Sequence, residues 1–203
     1  MHRTFRSVLT AIAAGCLLLA AGCGGGGADP AAPPAGNGTG AAPAAGSEAG
    51  VAWIDTVCGS MLELSNTVRS PKVDTSSPQA TFKSYSAFVG TYIGGIDKAV
   101  QTTEGAGPSP IAGGDAMLKG ILDPLKDYRG KLEQTKGVLD KANANDPATV
   151  TAATSALQIL KSPPAFNVPS TPEVSSATSQ AKNCQQLQQL GKTAQPSAAP
   201  SGG

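Results

Sequence analysis

A single histidine, His2, is present in the 203 residues of this sequence. It lies in a segment read below as an export signal, so the mature chain is expected to have none. That excludes Ser-His-Asp and Cys-His nucleophile systems, histidine-based zinc sites and the usual general base near neutral pH. Charge is scarce as well: Asp, Glu, Lys and Arg make up 14% of the chain, low for a folded domain, and Ala, Ser and Thr take up the difference. The net charge is +1, and loss of Arg3 and Arg6 would leave 13 basic against 14 acidic residues, a balance of −1. Binding nucleic acid requires a basic face to neutralise phosphates, so no nucleic-acid partner is expected. No segment alternates with period two and β-branched enrichment, and no Asn-Gly or Asp-Gly turn joins two such runs, which argues against sheet.

What is present begins with an address. Arg3 and Arg6 precede an apolar run from Val8 to Ala21, 14 residues long. That is too short for a membrane span, which takes roughly 20, and residues 1–22 read as a signal peptide. Ala20-Ala21-Gly22-Cys23 resembles the bacterial lipobox, in which small residues precede a cysteine that accepts a diacylglycerol and becomes the new N-terminus. Ala20 departs from the usual Leu, although Leu19 is adjacent. Cys16 is a second candidate, but it leaves only about seven apolar residues before the cut. The resemblance implies lipidation of Cys23 and anchoring on the extracytoplasmic face of the cell membrane. Ordinary secretion, or an uncut membrane anchor, is the alternative. Residues 23–46 are mostly Gly, Ala and Pro with little apolar mass, expected to form a disordered tether with a reach of roughly 25–30 Å.

From Ser47 to Leu190 the apolar period is helical, and residues 191–203 read as a disordered tail. Val51, Ile54, Cys58, Met61 and Ser65 mark a first helix, with Val57, Leu62 and Leu64 flanking, that Pro71 closes. Phe82, Tyr85, Val89, Tyr92, Ile96 and Ala99 mark a second. Leu118, Ile121, Leu125, Tyr128, Leu132, Thr135, Leu139 and Ala142 mark a third, with Pro124 expected to kink it next to a permissive Gly120. A fourth carries Val150, Ala153, Leu157 and Leu160, and a fifth Val174, Ala177, Ala181, Cys184, Leu187 and Leu190. Ser77-Pro78, Asp146-Pro147 and Thr171-Pro172 each put a capping side chain before a proline suited to the first helical position. The expected fold is all-α, a bundle of four to five helices.

Cys58 and Cys184 fall on the apolar faces of the first and last helices. In an exported chain such a pair is usually a disulfide, the alternative being two buried free thiols. With Cys23 acylated, a disulfide leaves no thiol nucleophile. Asp123 and Asp127 share a helix face and could serve acid–base work or a hard cation. However, Lys119, Lys131, and the pairs Arg129–Glu133 and Lys136–Asp140 repeat the four-residue spacing of a solvated, salt-laced face. "GAGPSPIAGGD", Gly105 to Asp115, lacks the spacing of a phosphate or dinucleotide loop and reads as an interhelical connection. Trp53, Phe88 and Tyr92 are candidates to face a ligand, although aromatics at helical spacing are more often core. Phe88 falls off the main stripe and is expected to be exposed.

"WIDTVCGSM" (Trp53 to Met61), "PSPIAGGDAM" (Pro108 to Met117) and "AKNCQQL" (Ala181 to Leu187) resemble a family of small exported helical proteins and lipoproteins of actinobacteria, generally of unknown function. The resemblance spans the folded region and implies the disulfide and the bundle, with no reaction attached. No catalytic residue, metal or cofactor is expected. The leading expectation is a non-enzymatic envelope lipoprotein that binds a protein or polymer. The alternative is a carrier holding a lipid or other apolar molecule between helices, with Pro124 opening a cavity.

Overall fold

The computed structural model describes residues 47–194, which fold into six α-helices and one short 3-10 helix. The order is α1 (Glu48–Val68), α2 (Pro78–Gly105), α3 (Gly114–Asp140), α4 (Pro147–Ala156), the 3-10 turn Leu157–Lys161, α5 (Pro172–Gln180) and α6 (Lys182–Ala194). Among the described residues the chain is all-helical, and Cys58 and Cys184 form a disulfide.

Each Ser/Asp/Thr-Pro pair opens a helix in the expected way. The Ser77 side chain accepts from the Ala80 N–H, Asp146 from Ala148 and Thr171 from Val174, with the proline in the first turn each time. Ser47 caps α1 in the same manner, through the N–H of Gly50. These bonds satisfy helix-end donors that otherwise have no intrahelical partner.

α1 and α2 run antiparallel, joined in the interior by the Ser60 and Thr103 hydroxyls at 2.8 Å and at the surface by Lys98 with Glu63. α2 and α3 are antiparallel too, through Arg129–Asp97 and Ser86–Asp140. Two apolar clusters result. One gathers α2, most of α3 and α4 around Val89, Ile96, Leu125, Leu132 and Ala153. The other gathers the first half of α1, Ile111, Met117, α5 and Cys184 around Ile54, Val57 and Ala177. α3 contributes to both, and Ile121 packs against each.

The structure corrects several expectations. The buried arc of α1 is Trp53, Ile54, Val57, Ser60 and Leu64, about one residue out of phase with the expected stripe, and Ser65 is only half-buried. The cause is that α1 is packed by α2 on one side and by α5 and α6 on the other, so its burial follows two neighbours at once. The expected fifth helix is two, because Ala181 adopts an extended conformation (φ −71°, ψ 122°) between them. Its apolar stripe passes through the break because both pieces pack on α1. Residues 191–194, expected in the tail, continue α6, and Gly191 is buried.

α3 is continuous through Pro124. Proline lacks the N–H that would meet the Gly120 carbonyl. At Gly120 the segment between the 3-10 turn and α5 crosses the helix, so close that a Cβ there would lie 2.1 Å from the Asn167 carbonyl oxygen. Gly120 is therefore needed for this close approach.

Candidate functional site

The residues of "WIDTVCGSM" and "AKNCQQL" meet where the start of α6 lies on α1. α6 lacks a local cap, since the residue before it is Ala181, with no side-chain acceptor. Asp55 supplies one from α1. Its Oδ1 accepts the Asn183 backbone N–H at 2.7 Å, and the Asn183 amide donates to Asp55 Oδ2 at 3.0 Å and to its carbonyl at 3.1 Å. An acidic group at a helix N-terminus is also favoured by the helix dipole. One turn on, Gly59 leaves room for this contact, since a Cβ there would be 2.8 Å from Asn183 Nδ2. Between Asp55 and Gly59 sits Cys58, half-buried and bonded to the buried Cys184, with their Cα atoms 5.0 Å apart. Trp53, at the other end of the motif, donates its indole N–H to the Gly107 carbonyl at 3.1 Å. One stretch of α1 thus ties down α6, the disulfide and the loop before α3.

That loop is the glycine-rich stretch, and its polar groups turn on the protein itself. Asp115 accepts the Ser109 N–H at 2.8 Å, and Thr171 donates to the Ala112 carbonyl at 3.0 Å. Ile111 is buried against α1, where a Cβ on Gly50 would fall 2.5 Å from its Cγ2. Gly107 and Gly113 adopt positive φ of 73° and 79°, which turns the chain between α2 and α3. The stretch is an interhelical connection, as its sequence suggests.

The three aromatic candidates do not converge. Trp53 belongs to the cluster around Ile54, whereas Phe88 and Tyr92 belong to the other. Phe88 is not exposed: it is buried at 8% of its accessible surface, with its ring 6.2 Å from that of Tyr92. α2 is flanked by α1 and α3, so its buried arc is wide enough to take in a residue just off the main stripe. Tyr92 in turn meets Tyr128 edge-on at 5.6 Å. Burial pushes the Tyr128 phenol above its ordinary pKa, partly opposed by a hydrogen bond with Tyr92, and its hydroxyl donates to the Ile159 carbonyl at 3.1 Å.

Asp123 and Asp127 are each paired with their own lysine, Lys119 at 2.5 Å and Lys131 at 2.6 Å. Arg129–Glu133 and Lys136–Asp140 complete the four expected pairs along α3. These side chains are substantially exposed, and such pairs contribute about 0–1 kcal/mol each. The Asp140 carboxyl is held below its usual pKa, mainly by Lys136 and then by the Ser86 hydroxyl. No group of three or more His, Cys, Asp or Glu able to hold a metal ion occurs among the described residues.

No protein-family model matches this chain, and neither a curated protein nor a solved structure matches it. Among the described residues, no helix is long and apolar enough to cross a membrane. Cys23, the expected site of lipidation, lies outside the described residues, as do the expected signal peptide, the tether and residues 195–203.

Sequence reasoning missed Asp55, Gly59 and Asn183. A capping carboxylate 128 residues from the N–H that it serves leaves no local pattern. The available signal was indirect: an Asp three residues before Cys58 and an Asn immediately before Cys184.

Proposed function

We propose that this chain is an exported lipoprotein, anchored by acyl groups on Cys23 at the extracytoplasmic face of the cell membrane, whose helical domain is a non-enzymatic binding module for an envelope protein or polymer. The Cys58–Cys184 bridge carries the export half of this reading. Structural disulfides persist in oxidising compartments and are rare where thiols are kept reduced. The lipobox-like Ala20-Ala21-Gly22-Cys23 then supplies the means of attachment, and more than one acyl chain makes such an anchor stable. The non-enzymatic part of the reading rests on what the prominent residues already do. Trp53, Asp55 and Asn183 hold elements together, and Asp123 and Asp127 are engaged by lysines.

Metabolic labelling with a fatty-acid analogue tests the anchor: label on the wild type and none on Cys23→Ala is expected, and equal label on both refutes it. Native mass spectrometry of protein extracted from its own membrane tests the binding role. A co-purifying protein or polymer supports the module, whereas a bound lipid supports the carrier.

A further inference from the structure

We propose that Asp55 is the positioning residue for the Cys58–Cys184 bridge: it docks the start of α6 on α1 before the sulfurs pair, and Cys58 is the sulfur that meets the oxidant. The cysteines are separated by 126 residues, so their encounter carries a large loop-closure cost unless something else brings them together. The Asp55–Asn183 contacts do so without any covalent bond. They join the residue immediately before Cys184 to one three residues before Cys58, which fixes both the register and the rotation of α6 on α1. A helix as short as α6, with 13 residues, is marginal by itself. Asp55 supplies the cap that Ala181 lacks, so docking and helix formation reinforce one another. Gly59 keeps the path open, because a side chain there would occupy the place of the Asn183 amide.

Burial then orders the chemistry. Cys58 is half-buried while Cys184 is only 2% exposed, so an oxidant reaches Cys58 first. With a small-molecule disulfide as oxidant, the Cys58 thiol loses its proton to water and its sulfur attacks one sulfur of the oxidant. The oxidant's S–S bond breaks and one thiol leaves. Cys184, held beside Cys58 by the docked α6, loses its proton to water and attacks Cys58 Sγ. The mixed disulfide breaks and the second thiol leaves. Two protein thiols have given up two electrons and two protons, and one oxidant disulfide has become two thiols.

The test uses the full chain carrying Cys16→Ser and Cys23→Ser, so that only Cys58 and Cys184 react. The reduced, denatured chain is diluted into native buffer with a glutathione couple, quenched by alkylation at intervals and weighed. Asp55→Ala is expected to slow bridge closure and lower the oxidised-to-reduced ratio at fixed glutathione poise by roughly tenfold, the scale of a lost hydrogen bond to a charged group. Asp55→Asn, which keeps one acceptor for the Asn183 N–H, falls between. Asp146→Ala, which removes a cap remote from the bridge, controls for a general loss of stability and leaves the closure rate near wild type. In strong denaturant all four chains close at one rate. In the single-cysteine chains, Cys184→Ser accumulates glutathione on Cys58 faster than Cys58→Ser does on Cys184. Closure of both Asp55 variants at the wild-type rate and to the wild-type ratio overturns the positioning role, as does equal slowing by Asp146→Ala. Equal trapping on the two cysteines overturns the order of attack.

Discussion

Glycine appears three times along α3 after its first turn, at 120, 130 and 137, and the structure assigns these positions opposite responses to the same change. At Gly130 and Gly137 an added Cβ meets nothing within 4 Å. Replacing either by Ala removes backbone entropy from the unfolded chain and adds a better helix former, stabilising by about 1 kcal/mol. Gly120→Ala has the same helical gain, but its Cβ would lie 2.1 Å from the Asn167 oxygen and 3.0 Å from its carbon. These are backbone atoms, so no rotamer change relieves the clash and the crossing segment itself must shift. Phe166 and Val168, half-buried on either side of Asn167, would move with it. Overpacking of this kind costs about 1–3 kcal/mol, and a rigid backbone neighbour puts it at the upper end. The net effect is a loss of ~2 kcal/mol after the helical gain. Urea denaturation of the oxidised chain, with melting temperature as a second measure, reads both signs. Gly130→Ala should raise the melting temperature by about 2–4 °C and Gly120→Ala lower it by about 4–8 °C. A Gly120→Ala protein as stable as wild type would show that the segment does not press on α3, and the account of Gly120 would fail.

Replacing both Cys58 and Cys184 by Ser should lower stability in the same denaturation assay by up to about 5 kcal/mol, the chain-entropy limit for so long a loop. A change below about 1 kcal/mol would mean that the crosslink constrains the unfolded chain far less than the chain-entropy model requires. Asp146→Ala removes the α4 cap and should cost about 1 kcal/mol, seen as a shifted urea midpoint with an unchanged slope. The Asp140 carboxyl, with a folded pKa below its unfolded value near 3.8, contributes stability that is present above that value and lost as pH falls through the folded pKa. Carboxyl NMR titration should therefore show the Asp140 pKa rising in Ser86→Ala and rising further in Lys136→Met, with a shallower acid loss of stability below about pH 4. An unmoved pKa in both would refute the assigned causes.

The local features of the fold were legible because each is written within a few residues. Three caps fall before prolines, and four ion pairs sit at i,i+4 on α3. The stripe from Leu125 to Ala142 is buried as its period indicates. Periodicity says which face is apolar, but not how many neighbours wrap it, which is why Phe88 and the phase of α1 were misplaced. The break at Ala181 was invisible for a related reason: no glycine or proline marks it, and the stripe is unbroken because one partner, α1, receives both halves. The Asp55–Asn183 contact depends on which helix lies beside which, information that only the assembled bundle contains.

The placement of the bridge also decides which parts of the domain feel a pull. Suppose tension is applied between the segments that flank the described residues. It enters along α1 from Glu48 to Cys58, crosses the sulfurs, and leaves along α6 from Cys184 to Ala194. The rest of α1, together with α2 to α5, lies on a closed loop off the load path and can be stretched only by breaking a covalent bond. Only two short helical pieces remain to lengthen, and Asp55 and Asn183 join them close to the crossing point. If the chain is anchored through Cys23 as proposed, most of the folded structure would keep its shape under loads that would unravel an uncrosslinked bundle.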